Sequence, residues 1–211
     1  MAASPHARLA ASDPVIAELI ADTGEMTLER RRRGRPAGDA YGTLLRTVIG
    51  QQLSAKAAFT IHGRVLELYG GEHPSPQALL ATPEEDLRGC GLSGRKVEYV
   101  RSLAEHVRDG ELQLDRLDAL SDSEVVTRIV AVRGFGEWSA QMFLMFFLER
   151  PDVLPTGDLG IRKAVQMRYE LDQLPGPDEL ERIAEPWRPQ RTLACLHLWE
   201  SLSNTPVAER S

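Results

Sequence analysis

The sequence predicts an all-α protein. Three observations carry that prediction: continuous period-2 alternation is hard to find, apolar residues recur at helical spacing throughout, and helix start and stop signals bracket those stretches. With 211 residues, 42% of them hydrophobic, the chain can bury a core as one domain or as two small lobes.

The elements follow in order. Ser12-Asp13-Pro14 opens a short helix that Gly24 ends, because aspartate caps free N–H groups and proline suits a first helical position. The run ERRRRGR puts Arg30, Arg31, Arg32, Arg33 and Arg35 together beside Gly34, Pro36 and Gly38. It reads either as a solvated linker or as a phosphate contact. YGTLLRTVIGQQLSAKAAFTIHGRVLELYGG carries two helices, broken around Gly50 to Ser54 and ended by Gly70-Gly71. Thr82-Pro83-Glu84-Glu85 and Ser121-Asp122-Ser123-Glu124 each have the pattern of a capping box. Between them, Val97, Val100, Leu103, Ala104 and Val107 form the apolar face of a long amphipathic helix. Two last helices are separated near Pro186 and Pro189, and His197 on the second reads as a structural histidine.

Bulk properties exclude some classes. No apolar run approaches the roughly 20 residues that span a bilayer, and the start lacks the apolar segment of a secretory signal. No membrane association and a cytoplasmic location are therefore expected. Cys90 and Cys195 are too few and too distant for a disulfide framework, a four-cysteine zinc site or an iron–sulfur cluster, and read as reduced, packed thiols. The net charge of −6 argues against a uniformly basic nucleic-acid domain but leaves room for a local basic face.

The most informative stretch is VRGFGEWSAQMFLMFF, residues 132–147. Val125, Val126, Ile129 and Val130 lead into it, and the segment from Glu137 to Leu148 is apolar nearly all round. Arg133-Gly134-Phe135-Gly136 thus interrupts two helices with glycines, which are costly inside a helix and natural where backbone approaches a ligand. Such a turn leaves N–H groups uncovered at the second helix's start, where the dipole favours an anion, and Ser139 adds a hydroxyl. A tight corner between two helices would have the same pattern. The apolar helix is about 18 Å long at 1.5 Å per residue, so the connector after it can return Thr156-Gly157-Asp158 toward the hairpin. Asp158 also reads simply as the N-cap of the next helix.

In the hairpin, VIGQQLSAKAA and AEPWRPQRTLACLHLW taken together, the chain resembles the helix-hairpin-helix DNA glycosylases, and within them the alkylpurine branch of the 3-methyladenine DNA glycosylase II type. The three motifs span Tyr41 to Leu202. The resemblance implies two helical lobes with a DNA-binding cleft between them. One lobe is expected from residues 1–38 and 166–211, the other from 39–165, with the helix-hairpin-helix at 124–149. It implies that Gly134, Phe135, Gly136 and Ser139 hold a DNA phosphate, partly through a bound monovalent cation, and that Asp158 is catalytic. Trp138 and Trp199 would line the base pocket, with Met142 where a better-known relative has a tyrosine. Gln52 or Leu53 would be the wedge beside the extruded nucleotide, preceded by Gln51. Larger family members carry an N-terminal β-rich domain, and the residues before Tyr41 are too few for it.

The chemistry implied fits these residue types. A base must leave the stack before it can be cut. An N3- or N7-alkylated purine is cationic, so the indoles of Trp138 and Trp199 would attract it, and it departs with little acid assistance. An oxocarbenium-like sugar and an attacking water remain for Asp158 to stabilise and orient. No metal and no cofactor beyond that cation are needed. Strand-cutting relatives place a lysine two residues after the second hairpin glycine, where this chain has Trp138, so a monofunctional hydrolase is expected. The expected partner is double-stranded DNA with alkylated bases, bound by a monomer. The alternatives are a non-catalytic helix-hairpin-helix module or a glycosylase for another damaged or mispaired base.

Overall fold

The computed structural model of the protein describes residues 3–32 and 39–204. Every regular element among them is helical, without a strand, and none is long and apolar enough to cross a membrane. The chain forms two compact units, Met1–Pro36 with Leu144–Ser211, and Ala37–Phe143.

The first unit begins with α1 (Pro5–Ser12), whose Ser4 hydroxyl accepts the Ala7 N–H. This helix precedes the one predicted from Ser12-Asp13-Pro14, and Ser4-Pro5 carries the same cap-plus-proline signal. In α2 (Pro14–Thr23), Asp13 Oδ1 accepts from the amides of Val15 and Ile16 at 2.9 and 3.2 Å, and Gly24 ends the helix at φ 68°. The other oxygen of Asp13 accepts from Tyr169 Oη at 2.6 Å and Trp187 Nε1 at 3.0 Å. That buried carboxylate fastens the first helices to the last third of the chain; removing it would take the acceptor from the half-buried Tyr169 hydroxyl, at about 1–3 kcal/mol, while Trp187 Nε1 would keep its 3.2 Å bond to Tyr169 Oη.

A short α3 (Leu28–Arg32) follows. Arg30, from the arginine run, donates to the carbonyls of Thr23 and Glu25 at 3.2 and 2.6 Å and lies 3.8 Å from Glu200. It is committed to capping α2 rather than free in a linker. Arg33 and Arg35, with Gly34, Pro36 and Gly38, fall outside the described residues.

In the second unit, α4 (Ala40–Gly50) and α5 (Ala55–Leu68) pack together, broken at Gln51–Ser54, where the sequence predicts a break around Gly50 to Ser54. Ser54 caps α5, and Gly70 and Gly71 turn out of it at φ 74° and 96°. The capping box expected at Thr82 does not form. Thr82 ends α6 (Pro76–Ala81), donating to the Ala78 carbonyl at 2.9 Å and bonding the Tyr69 hydroxyl at 2.7 Å, so its oxygen is turned away from α7 (Glu84–Gly89). The Ser121–Glu124 box does form, with both reciprocal bonds, at the start of α9 (Asp122–Val130). Before it, α8 (Gly94–Arg108) buries Val97, Val100, Leu103 and Ala104 against α4 and α6. Of the stripe expected on α9, Val125 and Ile129 are buried, whereas Val130 is exposed.

Next, α10 (Glu137–Phe146) leads out of the hairpin, and the chain passes to the first unit at Leu144. The expected lobes changed at residue 165 instead. The reason is visible in Thr192, whose hydroxyl donates to the Arg150 carbonyl and accepts from the Val153 amide, and whose own amide donates to Pro151. The stretch after α10 is thereby bound to the last helix. The unit closes with α11 (Leu159–Arg168), α12 (Pro177–Ala184) and α13 (Arg191–Asn204), the last packed on both α2 and α11. His197 on α13 is fully buried, 2.6 Å from the Thr23 hydroxyl, in the structural role expected of it.

Candidate active site

The two hairpin glycines differ. Gly134 has φ 94°, and a Cβ there would run into the Tyr99 ring, so the fold itself demands glycine. Gly136 has open space around its missing Cβ and ordinary φ. No protein group explains it. Phe135 and Ser139 are buried and anchor the turn from below, so among the hairpin residues the exposed ones are Arg133, Gly136, Glu137 and Trp138. Arg133 pairs with Glu98 at 2.8 Å on the surface. What the hairpin offers outward is the backbone around Gly136 and the start of α10, where the helix dipole favours an anion. Ser139, whose hydroxyl is expected to meet the phosphate, has its side chain buried to 3% exposure.

In the first unit, Asp158 caps α11, its Oδ1 accepting the Ile161 amide at 2.9 Å. The same oxygen accepts the indole N–H of Trp199 at 3.0 Å. Both predicted readings of Asp158 are thus compatible: it is an N-cap, and it is half-buried beside an aromatic ring. Phe146 stacks on Trp199, with centroids 6.0 Å apart and planes inclined by 29°. Sequence reasoning missed Phe146, although it lies four residues after Met142, which lies four after Trp138, placing all three along one face of α10. It also missed Gly160. A Cβ there would sit 3.0 Å from Asp158 Oδ1 and 3.3 Å from the Trp199 ring, so this glycine makes room for the indole to reach the carboxylate. Cys195 lies fully buried on the same helix as Trp199, and burial, with the charge of Asp158 adding to it, pushes its thiol up. It is no thiolate nucleophile.

The turn between α4 and α5 exposes both wedge candidates. Gln52 adopts φ 58°, which non-glycine residues enter sparingly, and Leu53 is 37% exposed. Among the lysines, Lys56 and Lys163 are exposed, while Lys96 donates its ammonium to the Ile49 carbonyl at 2.6 Å, with burial lowering its pKa. A cavity of about 600 Å³ in the first unit, lined by Pro5, Met26, Leu28 and Leu196 among others, includes neither Asp158 nor Trp199.

Comparison with known proteins fits this geometry. The model of the HhH-GPD superfamily of base excision DNA repair proteins matches residues 45–189. DNA-3-methyladenine glycosylase 1 of Schizosaccharomyces pombe is 32% identical over 174 residues, which are 82% of this chain and 76% of that protein. The putative DNA-3-methyladenine glycosylase YfjP of Bacillus subtilis is 30% identical over 77% of this chain, which spans only 58% of that relative. Among solved structures, the S. pombe 3-methyladenine DNA glycosylase in complex with abasic DNA superposes with a TM-score of 0.85 at 29% identity, covering 94% of this chain and 96% of that one. The DNA-3-methyladenine glycosidase of Bacillus halodurans superposes at 0.83 with 34% identity, covering 96% and 90%. The chain belongs to the HhH-GPD superfamily of base excision DNA repair proteins, and is a DNA-binding N-glycosylase. Within that superfamily it falls in the alkylpurine branch, whose named members are DNA-3-methyladenine glycosylases.

Proposed function

We propose that this enzyme flips alkylated purines of the 3-methyladenine and 7-methylguanine type out of duplex DNA and hydrolyses the N-glycosidic bond, leaving an intact strand with an abasic site. The observation that carries the reading is the Asp158 carboxylate, whose Oδ1 is held by the start of α11 and by the Trp199 indole. A bare DNA-binding module needs neither.

In this reading the backbone from Gly134 to Ser139 takes a phosphate. A hard monovalent cation there would need oxygen donors; the Val132 and Gly134 carbonyls already accept from the Phe135 amide and Gln51 Nε2, and each retains a second lone pair. Gln52 and Leu53 fill the gap left by the extruded nucleotide. Trp138, Met142 and Trp199 contact the base, the indoles favouring its positive charge by about 0.5–2 kcal/mol each. As the bond to the base lengthens, the sugar gains positive charge. Asp158 stabilises it and orients or deprotonates the attacking water. The enzyme acts as a monomer, in the cytoplasm with the DNA. Chromatography of bases released from methylated duplex DNA tests the proposal. Asp158→Asn, which keeps the helix cap, should cut release by roughly 10² or more while still binding DNA. Near wild-type single-turnover release would refute the assignment.

A further inference from the structure

The exposed turn that carries Gln52 and Leu53 is tied to the hairpin by one side chain. Gln51 Nε2 donates to the Gly134 carbonyl at 2.8 Å, across 83 residues of sequence. The rest of the turn is equally held. The Val48 and Gly50 carbonyls at the end of α4 accept from the amides of Gln51 and Leu53, and the Ile49 carbonyl accepts from Lys96. At the other end of the link, Gly134 is locked by its positive φ and by the Tyr99 ring beneath it. Gln51 is half-buried, whereas its neighbours Gln52, Leu53 and Ser54 are exposed. Its amide therefore spends itself on the protein while the next two residues point outward.

We propose that Gln51 is a positioning residue for nucleotide extrusion, setting the wedge turn at a fixed offset from the amides that grip the phosphate. This rests on the hairpin and wedge roles given under Proposed function. Binding at the hairpin and insertion at the turn are two events on one stretch of DNA backbone, and they cooperate only if the distance between the two elements is constant. A hydrogen bond from a side chain on one to a carbonyl on the other supplies that constancy. Without it, the hairpin can still hold duplex DNA and the turn can still fold, but the wedge no longer arrives in register with the gripped phosphate.

A double-mutant cycle tests this with the full chain. Gln51→Met removes the donor and keeps the length; Gln51→Glu turns an acceptor toward the carbonyl and serves if the first variant melts early. Each is combined with a wedge-less background, Gln52→Ala with Leu53→Ala. Extrusion is read by fluorescence of a 2-aminopurine placed beside a single 7-methylguanine, and duplex affinity is read on undamaged DNA. Loss of the link should slow extrusion about tenfold in the wild-type background and less than about twofold in the wedge-less one, with undamaged-duplex affinity unchanged. An equal loss in both backgrounds, or a loss of duplex affinity that matches the loss of extrusion, would overturn the proposal in favour of general folding support. Failure of the wild type to release any alkylated base would instead sink the proposed function, and the extrusion cycle would still report on Gln51.

Discussion

Trp199→Phe separates the two roles proposed for Trp199, stacking on the base and holding the Asp158 carboxylate. The phenyl ring keeps an aromatic face on Phe146, now 6.0 Å from the indole, and keeps most of what could stack on a base. It loses the N–H that donates to Asp158 Oδ1 at 3.0 Å. A hydrogen bond to a charged group contributes about 1.5–3 kcal/mol, which at 1.36 kcal/mol per decade is roughly a 10- to 150-fold loss in the chemical step. The Ile161 amide still holds the same oxygen, so the lower half of that range is the expectation. The assay is single-turnover release of 7-methylguanine with enzyme in excess, alongside affinity for a duplex containing an abasic analogue. Rate should fall while affinity stays within about twofold, and in an Asp158→Asn background the same substitution should cost little, because the two act as one unit. A release rate within twofold of wild type would show that the indole N–H does not orient the carboxylate. Equal losses of rate and affinity would leave Trp199 as a pocket wall only.

The hairpin glycines should separate in the same way: Gly136→Leu keeps its melting temperature and weakens duplex binding about tenfold, whereas Gly134→Ala loses about 2 kcal/mol or more of stability. Unchanged affinity in the folded Gly136 variant would remove the hairpin from the interface. Stability should also depend on acid. Burial, then the neighbouring His73 and Arg46, hold His62 down to about 4, and burial, then His6 and Arg30, do the same for His197. Below pH 6.5 the unfolded chain takes up protons that the folded one refuses, so stability present above that pH is lost down to about 4, and a melting temperature flat across this window would refute it. Borohydride should trap no covalent enzyme–DNA adduct, since Trp138 occupies the hairpin position of a lyase amine and Lys96 is bound to the Ile49 carbonyl. An adduct that disappears on Lys163→Gln would move the nucleophile to α11.

Much of this protein was legible without a structure, because helix caps are local chemistry. Asp13, Ser54, Ser121 and Asp158 each bond an amide two or three residues onward, so residue type and spacing announce the helix they begin. Glycine and polar residues likewise mark the break around Gly50 to Ser54 and the hairpin at Arg133–Gly136. The capping pattern goes wrong at Thr82, where a hydroxyl with two candidate helices chose the one behind it, and a local pattern cannot rank those choices.

Tertiary structure alone decided what meets at long range. Only the packed ring of Tyr99 distinguishes a glycine required by the fold from one left open, and only the fold joins Gln51 to Gly134. Trp199 is 41 residues from Asp158, and nothing in the composition of either neighbourhood shows that one indole N–H points at one carboxylate oxygen, or that Gly160 stays small to let it. Helix periodicity and capping fix a residue's direction relative to its own axis; which side chain it faces depends on how separate helices pack, and that is set by the whole core at once.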